Sequence, residues 1–391
     1  MYSLLLALIY IAFISLGLPD SLFGSAWPVI HLEMGVPVSY GGIVSMIISG
    51  GTVISSLMSG RLTHRFGAGL VTAVSVLLTA IALFGFSVSG SFWMLCVFAI
   101  PYGLGAGAID AALNNYVALH YASRHMNWLH CFWGVGAAIG PYIMGYSLIN
   151  GTGWSGGYLS VSVIQIIITA FIFASLPLWK QNKAGATEAQ EAPNDVKLLK
   201  LSQIIKLKGA KYVLIAFFAY CGLEATAFMW ASTYLVQYRG IDADIAARYA
   251  SLFFIGITVG RFLCGTISDR VGDRNMIRIG ILVILVGIFA VWLPVTVEWP
   301  CLYGLVIIGF GCAPIYPAII HATPANFGKE NSQSIIGVQM ASAYTGNIIL
   351  PPLFGLLAGW LGFSLYPIYI LVFVFLMLAM TEMLNKVIEN K

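Results

Sequence analysis

Residues 11 to 23 read IAFISLGLPDSLF, and residues 215 to 228 read IAFFAYCGLEATAF. Laid over each other, they place Asp20 on Glu224, one acid in each of two oily runs. Three further pairs follow in the same order. GRLTHRFG (60–67) lies over GTISDRVG (265–272), GLGAGAIDAAL (103–113) over GFGCAPIYPAI (309–319), and GVGAAIGPYIMG (134–145) over YTGNIILPPLFG (344–355). Four ordered matches whose offsets drift only slightly mark a chain made of two parallel copies of one unit.

The unit is a membrane unit. Of the 391 residues, 59% are hydrophobic and 9% charged, with a mean hydropathy of +0.90, outside the range of a soluble domain. A bilayer span needs roughly 20 apolar residues. Such stretches fall near 3–31, 40–60, 69–89, 92–119, 127–149, 157–178, 212–237, 249–268, 277–296, 299–321, 333–358 and 362–385. The expectation is an all-α membrane protein with twelve transmembrane helices in two pseudo-symmetric six-helix bundles. A transmembrane barrel would instead show alternating segments of about 10 residues, which do not occur. The first span is too long for a signal-peptide core and has no basic flank, so it reads as a permanent helix.

The one extended polar stretch, around WKQNKAGATEAQEAPNDVKLLKLSQIIKLKGAK, divides the chain into residues 1–178, a linker 179–211 and residues 212–391. Basic residues cluster in this linker, after the even-numbered spans and at the C-terminus; the alternate loops hold only Arg239 and Arg248. The positive-inside rule then puts both termini and the linker in the cytoplasm, in a multi-pass plasma-membrane protein. That placement accounts for the net charge of +4 without a nucleic-acid partner. The six cysteines are scattered singly with no C-x-x-C pair, which points to small apolar fillers rather than metal or redox work.

GTISDRVGDRNMIR (265–278) resembles the cytoplasmic loop signature of the major facilitator superfamily, G-x-x-x-D-R-x-G followed by basic residues. It falls after the eighth span, where that family's second copy belongs. The first copy keeps Gly60, Arg65 and Gly67 but has His64 where the family usually has an aspartate. The resemblance implies a major facilitator fold and a cytoplasmic latch at Gly60, Arg65 and Gly67 and at Gly265, Asp269, Arg270 and Gly272. LPDSLFG, AIDAALNNYV, FAYCGLEATAFMW and FGCAPIYPAI are moreover similar to segments of the fucose permease branch, proton-coupled sugar symporters. The asparagine of that branch's fifth helix has no counterpart; HCFWGVGAAIGP has Phe132 and Trp133 there, with His130 nearby.

Four charges lie well inside spans: Asp20, Asp110, Glu224 and Arg261. Each costs roughly 2.5–3.5 kcal/mol at mid-depth on the insertion scale, so such residues mark pathways or relays by default. Burial disfavours the charged form of a carboxylate, which suits Asp20 and Asp110 to carry protons. Glu224, the repeat mate of Asp20, either binds substrate hydroxyls or pairs with Arg261, whose simplest role is a structural counter-ion. Helical spacing aligns Asn114 with Asp110, Trp27 with Asp20, Phe228 with Glu224, His130 with Trp133, and Gln339 with Asn347, while Tyr316 is the repeat partner of Asp110. Polar groups and aromatic plates together suit a polyhydroxyl ring. His130 reads equally as a second proton site, a substrate ligand or an interhelical hydrogen bond.

These readings converge on a secondary active transporter without cofactors, driven by the proton gradient. It would carry a small polar solute, best a sugar, in symport with protons by alternating access, with the site at the repeat interface. The family default is a monomer whose partners are substrate, protons and lipid. One alternative keeps the fold and reverses direction, as a proton-coupled exporter of amphipathic or cationic compounds. Another, a membrane-embedded enzyme or receptor, needs a nucleophile–base pair or metal-ligand set that a two-copy repeat does not supply. GLGAGA at Gly103 lacks a preceding strand and reads as close helix packing rather than a dinucleotide fingerprint.

Overall fold

The computed structural model describes residues 2–179, 199–294 and 297–390, so most of the expected linker 179–211 lies outside the described residues. The chain forms α1 (Tyr2–Asp20), α2 (Leu22–Glu33), α3 (Gly41–Phe66), α4 (Ala68–Ser87), α5 (Phe92–His120), α6 (Ser123–Ile149) and α7 (Gly153–Ala174). After the linker follow α8 (Leu201–Lys206), α9 (Ala210–Gln237), α10 (Ala243–Val271), α11 (Asp273–Trp292), α12 (Trp299–Cys312), α13 (Ile315–His321), α14 (Thr323–Phe327), α15 (Lys329–Leu361) and α16 (Tyr366–Glu389). Among the described residues, twelve spans are long and apolar enough to cross a bilayer; the first combines α1 with α2, and the tenth combines α12 to α14. The helices read as starting at 127 and 333 begin earlier, at Ser123 and Lys329, because each runs past its apolar stretch into a polar first turn.

Contacts divide the chain into two compact units. One is Met1–Tyr116 with Phe132–Leu198; the other is Val117–Cys131 with Leu199–Lys391. The end of α5 and the start of α6 thus pack with the second unit, although they belong to the first half of the sequence.

Each unit repeats the other's internal helix crossings, and glycine makes them. In the first unit, a Cβ on Gly136 of α6 would collide with the Ile14 carbonyl of α1. In the second, a Cβ on Gly346 of α15 would collide with the Phe218 carbonyl of α9. The pairs correspond in the sequence repeat, as do Gly103 against the Ile48 carbonyl and Gly309 against the Phe253 carbonyl. Backbones this close admit no side chain, so van der Waals packing holds the helices where lipid supplies no hydrophobic drive. The signature glycines are explained similarly. Gly67 and Gly272 each form a one-residue link between helices at φ of 81° and 79°, a conformation strained for any residue with a Cβ.

Candidate functional site

In the first unit the site begins with a broken helix. Pro19 has no amide hydrogen, so the Ser15 carbonyl loses its helical donor. The Gln165 side-chain amide of α7 donates to that carbonyl instead. The helix stops at Asp20, restarts at Leu22, and the hydroxyl of Ser21 between them donates to the Ala137 carbonyl at 2.7 Å. Glycine at 140 leaves room for this approach, since a Cβ there would meet the Leu18 carbonyl.

The break presents the Asp20 carboxylate to two donors. Tyr102 donates its hydroxyl to Oδ1 at 3.0 Å, and Trp133 donates its indole N–H to Oδ2 at 2.8 Å. Asp20 is nonetheless exposed. Asp110 is the opposite case: it is buried, and the fully buried Asn114 donates through Nδ2 to its Oδ1 at 2.7 Å and to its backbone carbonyl at 3.0 Å. The Asp20 carboxylate is thus held by groups from two other helices, while Asp110 is enclosed with an amide of its own helix.

Trp27 sits on α2, beyond the break. Its buried indole rests on Gly41, stacks on Phe23 with ring centroids 5.2 Å apart, and meets Phe92 at 6.4 Å. It is built into the packing of α2 on α3 and α5.

In the second unit, Tyr220 of α9 brings Glu224 of the same helix to the break between α12 and α13. The Tyr220 hydroxyl contacts Glu224 Oε2 and lies 2.9 Å from the Cys312 carbonyl oxygen. Tyr316 follows this break. Its ring packs on His130 at 4.6 Å and Phe217 at 4.7 Å, and its hydroxyl donates to Met340 Sδ at 3.1 Å. His130 is buried, and its backbone carbonyl accepts from Nη1 of the buried Arg261 at 3.4 Å. Phe228 packs on Phe254 at 4.3 Å. Gln339 is fully buried; its Oε1 accepts from the Thr323 hydroxyl at 3.0 Å, and its Nε2 has no partner among the described residues. Asn347, two turns along the same helix, is exposed.

The second copy of the loop signature, residues 265–272, closes α10 in the second unit. Arg124 pairs with Asp269 through its side chain, and its backbone N–H donates to the same carboxylate at 3.0 Å. Asp273 accepts from the Ser123 hydroxyl at 2.7 Å and contacts His321 Nδ1 at 2.6 Å. The Trp128 indole covers Gly265, where a Cβ would strike it. Arg270 is exposed, and Arg65 in the first copy lies over the Phe66 ring at 5.3 Å.

Tyr102, Gln165, Arg124 and Asp273 are participants that sequence reasoning passed over. A signal existed for Tyr102, which shares a helical face with Ala106 and Asp110 at four-residue spacing. Gln165 was visible as a lone amide in the oily run SVIQIIITAF.

A family profile described as Major Facilitator Superfamily matches residues 9–250 and 212–386. The chain is 25% identical over 284 residues to "Bypass of stop codon protein 6" of Saccharomyces cerevisiae, covering 66% of this chain but only 56% of that protein. It is 21% identical over 311 residues to the "Glucose/mannose transporter GlcP" of Bacillus subtilis, covering 78% of this chain and 75% of that one. Its fold is similar to the crystal structure of the E. coli fucose:proton symporter FucP, with a TM-score of 0.77 at 16% identity over 97% of this chain and 98% of that one.

Proposed function

The chain belongs to the major facilitator superfamily, and from that premise we propose that it couples proton entry to uptake of a small polar solute, a sugar above all. It is a multi-pass membrane transporter with twelve spans. The finer reading has Asp20 and Asp110 as the proton carriers and alternating access as the means of transport. The observation that carries it is Asp20, an exposed residue at a helix break whose carboxylate is gripped by Tyr102 and Trp133 within a membrane span. A group in hydrocarbon that must exchange protons needs access, and hydrogen-bond partners that tolerate either protonation state.

Asn114, Trp133, His130, Glu224, Phe228, Tyr316, Gln339 and Asn347 are the candidates for holding the solute, with Trp27 in support. The names of GlcP and FucP, each a sugar carrier by description, favour a sugar for this chain as well. Arg261 is assigned a structural role beside His130. The latch reading rests on Asp269 with Gly265, Arg270 and Gly272, and by repeat on Gly60, Arg65 and Gly67. The basic residues of the linker, of the loops after the even-numbered spans and of the C-terminus favour a plasma-membrane protein with both termini cytoplasmic, working as a monomer of two six-helix bundles, 1–178 and 212–391.

The test is transport by the purified chain in liposomes under an imposed pH gradient, against a panel of monosaccharides and lipophilic cations. Accumulation of a sugar with the gradient acid outside, accompanied by alkalinisation of the outer medium, is the expected result. Extrusion of cations in exchange for protons, with no sugar movement, would overturn the symport reading.

A further inference from the structure

Between α3 and α4 the first unit carries an apolar groove of about 450 Å³. Met58, Leu62 and Phe66 of α3 form one wall, Leu70 and Val74 of α4 the other, and Ala108 of α5 lies at its base. Met58, Phe66 and Val74 are exposed. From Ser55 to Phe66 the groove follows α3 for eleven residues, about 16 Å at 1.5 Å per residue. That is about half the roughly 30 Å hydrocarbon core of a bilayer, the depth of one leaflet.

The end of the groove at the α3–α4 link is cationic. Arg65 follows Leu62 by three residues, and its guanidinium lies over the ring of Phe66, which lines the groove, at 5.3 Å. Arg61 and His64 are exposed on the same turn. No acidic residue occurs between Glu33 and Asp110, and neither arginine has a carboxylate partner among the described residues. The first copy of the repeat thus differs from the second, where Asp269 at the position of His64 engages Arg124.

We propose that this groove binds one anionic phospholipid, its acyl chain lying between α3 and α4 and its phosphate held by Arg65 and Arg61. An oily slot one leaflet deep fits a single chain. Among the described residues no carboxylate opposes these cations, so they select a negative headgroup over a zwitterionic one, as basic residues at a membrane surface do. Nothing in this assignment depends on which solute the protein carries.

The experiment uses the full chain in phosphatidylcholine nanodiscs doped with phosphatidylglycerol bearing a photoactivatable acyl chain, with adducts mapped by mass spectrometry. The labelled phosphatidylglycerol is expected to mark α3 and α4 around Leu62 and Val74 about tenfold more than labelled phosphatidylcholine does. The R61Q/R65Q variant is expected to lose that excess, while Arg65→Lys keeps most of it. Val74→Trp, which fills the slot and leaves both charges in place, is expected to lower labelling on α3. Equal labelling by the two lipids, meaning ordinary annular contact, would overturn the proposal. Labelling unchanged in R61Q/R65Q or in Val74→Trp would do the same.

Discussion

Trp133 donates its indole N–H to Asp20 across 113 positions of sequence, at 2.8 Å, on the carboxylate oxygen opposite the one that Tyr102 engages. The two donors are not equivalent. An indole N–H can only donate, whereas a phenol can donate to a carboxylate or accept from a carboxylic acid. A proton placed on the Asp20 oxygen that faces Tyr102 can thus be donated to the phenol, whereas Trp133 serves only as a donor in either state.

Asp20→Asn imitates the protonated acid at nearly constant shape. Its Oδ1 accepts from Trp133 and its amide donates to the phenol oxygen, so the fold should survive with little change in melting temperature. Accumulation against a gradient should be abolished, with counterflow of bound solute retained. Asp110→Asn should behave similarly. Both are read by comparing gradient-driven uptake with counterflow in liposomes. Normal accumulation by both variants would remove the coupling role from these acids.

Tyr102→Phe removes the partner that can reverse, and Trp133→Phe removes the one that cannot. A hydrogen bond to a charged group contributes about 1.5–3 kcal/mol, so either loss should slow uphill uptake by about tenfold or more. Tyr102→Phe should harm coupled uptake more than counterflow. Equal losses in the two assays would assign Tyr102 to solute binding instead.

Gln165 and Pro19 form a compensating pair. Gln165→Leu leaves the Ser15 carbonyl buried without a donor, which should cost about 1–3 kcal/mol of stability. Pro19→Ala restores a backbone N–H to that carbonyl, so in its background the cost of Gln165→Leu should largely disappear. A double-mutant cycle on thermal stability measures the coupling directly. Strictly additive effects would mean that Gln165 does not serve the helix break.

Much of the fold was legible because it is written twice. The oily runs set the spans, and the repeat laid Gly136 over Gly346, the two glycines at which the structure has matching helix crossings. Helix ends were less legible, because α6 and α15 continue through polar turns that hydropathy reads as loop. At the site, the acids announced themselves by their cost in hydrocarbon, and Asn114 by its spacing from Asp110. Their other partners did not. Tyr102 and Trp133 reach Asp20 from α5 and α6, and no local pattern encodes a contact made across helices. Trp27 rests on Gly41 of α3, again a contact across helices that its spacing from Asp20 does not encode.

The matched crossings make a prediction in both units. Gly136→Ala and Gly346→Ala each press a methyl group into a neighbouring carbonyl, and overpacking of this kind costs about 1–3 kcal/mol. Gly145→Ala, on the same helix as Gly136 but facing open space, is the control and should be tolerated. Melting temperatures of the three purified variants decide it. A tolerated Gly346→Ala beside a damaging Gly136→Ala would break the equivalence of the two units.

The last prediction follows from counting hydrogens at Tyr220. Its hydroxyl contacts both Glu224 Oε2 and the Cys312 carbonyl oxygen, yet a phenol has a single hydrogen to give. If that hydrogen goes to Cys312, the phenol oxygen faces position 224 as an acceptor, and a donor there suits it. Glu224→Gln keeps such a donor permanently, so it should match the wild type in melting temperature, whereas Glu224→Ala should fall below it. Tyr220→Phe should fall too, because the Cys312 carbonyl at the helix break loses its partner. Glu224→Gln as damaging as Glu224→Ala would instead show that an ionised carboxylate is what the site requires, and would return Glu224 to a pairing with a cation such as Arg261.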